Sequence, residues 1–264
     1  MEKVGVKMSA LTLGSTVSLT CPSNPVSGAS SAVERSSVSP RERLTSLIEA
    51  TEKLPYMLGA DWAVIENVPE KFILSAYPLD GMEPYWEGVI NDSVSLGVQL
   101  ASVSPEDYHL PEKGKLILGP GEIALKTKAT DENLTTRQYV ISRYKDGCSW
   151  LFTHFQLNTW GDGKVPSDKV FDHLMSQYED KVEELIKSPA ISGTRLTTQV
   201  HCMGGVGRTG TFVFARCLRC QPVREEIGPS IILSRLRSQR SGLVETDGQM
   251  YFAIKHGSKD VTKK

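Results

Sequence analysis

The sequence predicts an α/β protein, a central twisted mixed β-sheet flanked by helices, on three observations. Short β-type apolar runs fill its first half, a long amphipathic helix follows them, and a further strand then leads through a glycine-rich loop into more helices.

Residues 1–39 hold ten Ser and three Thr but no aromatic residue, a composition that buries too little surface to offset the entropy of ordering. Residues 1–38 are therefore expected to be a disordered leader, with export as its suggested role. Lys3 and Lys7 precede a weakly apolar stretch, but Ser9, Thr12, Ser15, Thr16 and Ser18 interrupt it and no A-x-A-like cleavage site follows. The folded domain is expected over 39–257, starting with a helix at Ser39-Pro40 that places Leu44, Leu47, Ile48 and Leu54 on one face. Residues 258–264 form a basic tail.

From Lys71 to Gln156 the runs Phe72–Leu74, Leu96–Leu100, Leu116–Leu118, Ile123–Leu125, Gln138–Ile141 and Trp150–Phe152 are separated by Gly, Pro and Asp, which reads as a multi-stranded sheet. After Pro166-Ser167 the apolar residues Val170, Phe171, Leu174, Met175, Tyr178, Val182, Leu185 and Ile186 keep a helical period. A strand ending in Gln199-Val200, a glycine-rich loop and helices near 208–220 and 229–239 complete the domain.

Composition narrows the chemistry. The formal net charge of -1 exerts no general attraction on nucleic acid or acidic lipid, so an anionic ligand needs a local site and no nucleic-acid partner is expected. Five cysteines at irregular spacings (21, 148, 202, 217 and 220) do not form a disulfide framework, and a reducing, cytoplasmic compartment is expected. No apolar run is long enough to span a membrane. Cys217-Leu218-Arg219-Cys220 lacks the two further ligands a zinc site needs, so these cysteines are read as small buried side chains and no metal is expected.

The local anion site is the segment His201-Cys202-Met203-Gly204-Gly205-Val206-Gly207-Arg208-Thr209-Gly210. Glycines at 204, 205 and 207 let the backbone curl so that its N–H groups point inward, and the following helix adds its positive end. Arg208 supplies two parallel charge-assisted hydrogen bonds to phosphoryl oxygens. Cys202 lies at the centre, where all these groups favour the thiolate, a nucleophile. A structural cysteine beside an unrelated turn would leave Arg208 and Thr209 without a reason to converge.

This segment matches the signature H-C-x5-R-[ST] in full and resembles the protein tyrosine phosphatase family. Leu134–Ile141 with Thr135-Thr136-Arg137, Phe72–Leu79 and Trp86 are similar to further parts of that family, and the likeness runs from about residue 40 to 257. The Gly204-Gly205-Val206-Gly207 form behind a Ser-rich leader looks most like phosphatases that bacteria inject into host cells. The resemblance implies metal-free and cofactor-free hydrolysis of phosphotyrosine in proteins through a phosphocysteine intermediate, by a monomer. Cys202 is the implied nucleophile, and Met203, Gly204, Gly205, Val206, Gly207 and Arg208 the implied phosphate cradle. Two alternatives stay open: a catalytically weak phosphotyrosine-binding module and a phosphoinositide phosphatase, although no basic residue occupies the variable loop positions 203–206.

Trp160-Gly161-Asp162 stands where the family has its mobile Trp-Pro-Asp loop, which makes Asp162 the implied general acid. Gly161 replaces the proline and frees the backbone there. His201 is assigned a supporting role, beside the plain reading of a core histidine. Thr209 is read either as a hydroxyl donor to the thiolate or as a helix cap. Gln239–Gln249 is similar to the family loop that positions water, with Gln249 at the second glutamine position and Glu245 at the first. A carboxylate there faces a phosphoryl group of like sign, so Glu245 is expected to turn away, with Arg240 as a possible partner, leaving Gln249 to hold the water. The family's phosphotyrosine-stacking aromatic has no clear counterpart, Tyr56 being the nearest candidate.

Overall fold

The computed structural model describes residues 60–78, 81–101, 114–157, 159–188, 195–220, 225 and 227–259. The helix expected from Ser39-Pro40, and Tyr56, lie outside them. The described residues form eight strands: β1 (Asp61–Val64), β2 (Glu70–Ser75), β3 (Leu96–Gln99), β4 (Lys115–Leu118), β5 (Gly121–Thr130), β6 (Leu134–Arg143), β7 (Ser149–Leu157) and β8 (Leu196–His201). Five helices accompany them: α1 (Met82–Asn91), α2 (Asp168–Ile186), α3 (Gly207–Arg219), α4 (Pro229–Gln239) and α5 (Asp247–Gly257).

The strands make one sheet in the order β1-β2-β8-β3-β7-β6-β5-β4. Strands β2, β8, β3 and β7 run parallel, whereas β1 and the β7-β6-β5-β4 meander pair antiparallel. The parallel centre is covered on both faces, as parallel sheets require, and all six residues of β8 are buried.

Side chains alternate between the two faces. Leu74, Val98 and Phe155 join Phe171, Tyr178, Phe212, Ile232 and Phe252 in the larger core under α2 to α5. Ile73, Tyr139, Ile141 and Phe152 face the other way and pack with Tyr85, Trp86, Val89 and Ile90 of α1. Trp86 meets Tyr85, Tyr139 and Phe152 edge-on, a geometry aromatic rings prefer.

Helix α2 begins as expected, with the Ser167 side chain accepting from Val170 N. A buried ion pair anchors α3 to the sheet: Arg216 Nε donates to Glu70 Oε1 at 2.8 Å. Tyr178 Oη donates to the same carboxylate oxygen, and lies 3.0 Å from Thr198 Oγ1. Cys217 is fully buried, as expected. Cys220 departs from a purely apolar role, because its Sγ accepts from Arg216 Nη1 at 2.9 Å. Both cysteines are free thiols. No described helix is long and apolar enough to cross a membrane.

Candidate active site

Strand β8 delivers His201 and Cys202 to the carboxyl end of the parallel strands, and α3 starts five residues later at Gly207. The turn between them is held by its carbonyls. Met203 O accepts from Tyr77 N at 2.8 Å. Gly205 O and Gly204 O accept from Arg240 Nε and Nη2 at 2.8 and 3.3 Å, and Val206 O accepts from Gly210 N inside the helix. A trans peptide sets its N–H opposite its C=O. With these carbonyls tied outward, the N–H groups of Gly204, Gly205, Val206 and Gly207 are directed to the concave side, an arrangement suited to an anion.

Gly205 is sterically required: it has φ +67°, and a β-carbon there would lie 2.2 Å from the backbone Ser75 O. A β-carbon on Gly207 would meet side-chain ends, Glu245 Oε2 at 2.8 Å and Gln249 Nε2 and Oε1 at 3.0 Å.

Cys202 is buried in this turn at 2% exposure. Arg208 donates from Nη1 to Trp160 O at 2.9 Å and from Nη2 to Asp162 Oδ1 at 2.7 Å. The structure thus brings the Trp160-Gly161-Asp162 segment onto the arginine of the turn. The Trp160 ring is buried against Phe171 and Phe252, and its Nε1 donates to Lys164 O at 2.7 Å, closing the segment on itself. Gly163, at φ +64°, makes that turn possible.

His201 is fully buried, and desolvation lowers its pKa to about 4 despite an opposing contact with the Cys202 carbonyl. The imidazole is therefore neutral at pH 7. Thr209 is not the helix cap, because Val206 occupies that position. Its hydroxyl is buried and has no hydrogen-bond partner among the described residues. Met203 projects from the rim as an exposed side chain.

In the segment before α5, Glu245 Oε2 packs near Gly207, 2.8 Å from where a β-carbon on that residue would stand. Arg240 spends its guanidinium on the loop carbonyls and on Asp61, whose Oδ2 lies 2.6 Å from Nη1. Gln249 opens α5 in a capping box with Thr246. Its Oε1 accepts from Glu245 N and Thr246 N at 3.0 and 3.3 Å, leaving Nε2 buried and without a partner.

Sequence reasoning missed the outward clamps Arg240 and Tyr77, and also Arg237, which donates to Leu243 O and Val244 O at 2.8 and 2.9 Å. None carries a local signal. The described residues contain no cluster of His, Cys, Asp or Glu arranged to hold a metal ion.

Fold and site together define an α/β protein whose central strand ends in an anion cradle built around a cysteine and closed by an arginine. A family model described as protein-tyrosine phosphatase matches residues 43–257, and the chain belongs to the protein-tyrosine phosphatase family. It is 28% identical to the tyrosine-protein phosphatase corkscrew of Drosophila melanogaster over 155 residues, which is 55% of this chain and 18% of that protein. It is 25% identical to human receptor-type tyrosine-protein phosphatase R over 213 residues, 76% of this chain and 30% of that protein. The chain thus spans less than a third of these relatives' length. The crystal structure of the Trypanosoma cruzi phosphatase TcPTP1 shares the fold, with a TM-score of 0.61 at 20% identity, covering 77% of this chain and 73% of that one.

Proposed function

We propose that this chain hydrolyses phosphotyrosine in proteins through a phosphocysteine intermediate. The observation that carries the reading is the convergence of Arg208 on Trp160 O and Asp162 beside the cradle that holds Cys202. The phosphoryl dianion settles on the inward N–H groups and takes over the Arg208 guanidinium, which frees Asp162. Cys202 thiolate attacks phosphorus. The P–O bond to the tyrosyl ring breaks, and Asp162 protonates the departing phenolate. Water then attacks the phosphocysteine, the P–S bond breaks, and the products are inorganic phosphate and the regenerated thiolate. Thr209, its hydroxyl uncommitted at the base of the loop, is the donor assigned to that thiolate.

Protein phosphotyrosine is favoured over a phosphoinositide because the rim residues Met203 and Val206 offer no cation to a polyphosphorylated headgroup. The test compares wild type with Cys202→Ser on an aryl phosphate, a phosphotyrosine peptide and a phosphoinositide vesicle. Peptide turnover that vanishes in the serine variant supports the reading. Turnover that survives, or that favours the vesicle, overturns it. The further proposal of an injected bacterial effector rests on the loop form and the Ser-rich leader, and is tested by fusing residues 1–38 to a translocation reporter.

A further inference from the structure

We propose that His256 is a positioning residue for the first step: its ring, clasped between two carboxylates of α2, seats the Trp160-Gly161-Asp162 segment so that Asp162 can protonate the departing phenolate. The proposal rests on the general-acid reading of Asp162 above and adds the device that holds that acid in place.

The clasp joins two helices. His256 lies in the last turn of α5 and is fully buried. Asp168 and Asp172 are four residues apart on α2 and share a face. His256 Nδ1 is 2.8 Å from Asp172 Oδ1, and Nε2 is 3.0 Å from Asp168 Oδ1. An ionised carboxylate only accepts, so the ring meets both oxygens by donating from both nitrogens, as imidazolium does. Lys259 Nζ also approaches Nδ1, at 3.3 Å, but it donates to Asp172 Oδ2 at the shorter distance of 2.6 Å. The other charges around the ring are Lys255, which donates to Asp168 Oδ2, and Arg219 of α3, 4.0 Å from Asp172 Oδ1. Hydrogen bonds from Lys255 and then His256 hold the Asp168 carboxyl below its usual range. Burial opposes the same shift at Asp172, where Lys259 and His256 outweigh it.

The same ring completes the packing behind the loop. Its centroid is 4.2 Å from that of Phe252 and 5.1 Å from that of Phe171. Both phenyl rings pack on Trp160, whose carbonyl accepts from Arg208. A shift of the imidazole is therefore passed to Trp160 through two rings in contact.

The carboxylates hold the other end of the segment. Asp168 opens α2 only six positions after Asp162. Between these anchors the chain has little stiffness of its own, because Gly161 and Gly163 flank Asp162. The Asp162 side chain is exposed and its recorded partner is Arg208. Once the phosphoryl group takes that arginine, the aspartate is placed by its two ends alone. Trp160 fixes one end in the ring stack, and Asp168 fixes the other on the imidazole.

The test measures kcat/KM of the full chain on phenyl phosphate and on p-nitrophenyl phosphate. The phenyl leaving group is about as basic as tyrosine, with a pKa of about 10, and needs a proton donor. The p-nitrophenolate ion is far more stable and needs one much less. His256→Phe keeps a ring in the stack and removes the clasp. It should lower kcat/KM on phenyl phosphate about tenfold more than on p-nitrophenyl phosphate, a fraction of the effect of losing the acid outright. The double variant Asp168→Asn/Asp172→Asn leaves the imidazole in place, and it should show the same selective loss. A purely structural contact predicts equal losses on the two substrates. Equal losses, or none, in both variants overturn the proposal. Asp162→Ala, assayed in parallel, separates the two readings. If it discriminates between the substrates and neither clasp variant does, the positioning role falls and the general-acid reading stands. If Asp162→Ala does not discriminate, the general-acid reading falls and this proposal falls with it.

Discussion

Arg208 Nη2 and Asp162 Oδ1 are 2.7 Å apart, and the two ends of this contact sit in opposite surroundings, the arginine side chain 4% exposed and the aspartate 83%. The carboxylate is an exposed occupant of a buried donor. A phosphoryl group must compete with it. Asp162→Ala is therefore expected to tighten competitive inhibition by inorganic phosphate several-fold while lowering kcat by about 10² to 10⁴. Unchanged phosphate inhibition would show that Asp162 leaves Arg208 before the ligand arrives.

Gly205 allows a second prediction. Its positive φ and the 2.2 Å approach of a β-carbon to Ser75 O leave no room for alanine without moving the turn. Gly205→Ala should cost about 1–3 kcal/mol of stability and most of the phosphate affinity. Gly204, whose β-carbon would meet nothing within 4 Å, should tolerate alanine in thermal unfolding. Equal melting temperatures for the two variants would contradict the steric account.

The pair Glu70–Arg216 is buried on both sides. Glu70→Ala takes its nearest carboxylate from the buried Arg216 guanidinium of α3, leaving only the 3.8 Å approach of Glu179 Oε1, at an expected cost of about 3 kcal/mol in urea unfolding. Replacing both residues with methionine should cost less than the single change. A larger loss in the double variant would mean that the pair contributes net stability beyond mutual compensation.

His201 makes stability depend on pH. Its pKa falls from 6.5 to about 4 on folding, so the unfolded chain takes up the proton first. Its contribution to stability is complete above pH 6.5 and declines as pH drops toward about 4, by roughly 3 kcal/mol in all. Urea midpoints between pH 7 and 4.5 should fall more steeply for wild type than for His201→Asn. Parallel slopes would assign the loss to other groups.

Much of this arrangement was legible in the chain. Cys202 and Arg208 declare themselves because their spacing lies within one loop, and β2, β3 and β7 through their apolar runs, whereas β8, rich in Thr and Gln, is marked by the loop it enters. The outer half of β5 does not declare itself, since Lys126 and Lys128 there are exposed and break the apolar pattern. β1 is too short to show a period. α1 was signalled by Trp86 alone, and α5 was overlooked although Thr246 and Gln249 have capping-box spacing. The closeness of Glu245 Oε2 to Gly207 has no signal in the chain, because only the fold brings that segment beside the loop.

The position of β8 between β2 and β3 also governs when the site comes into being. Phe72 pairs with Thr198, and Val98 with Val200, so the strand that leads into Cys202 pairs only with strands from the first half of the described chain. Such distant pairings close large loops and slow folding. On a ribosome, β2 and β3 emerge well before β8, which separates them in the finished sheet. Until β8 threads into that gap, the turn around Cys202 lacks the strand that positions it.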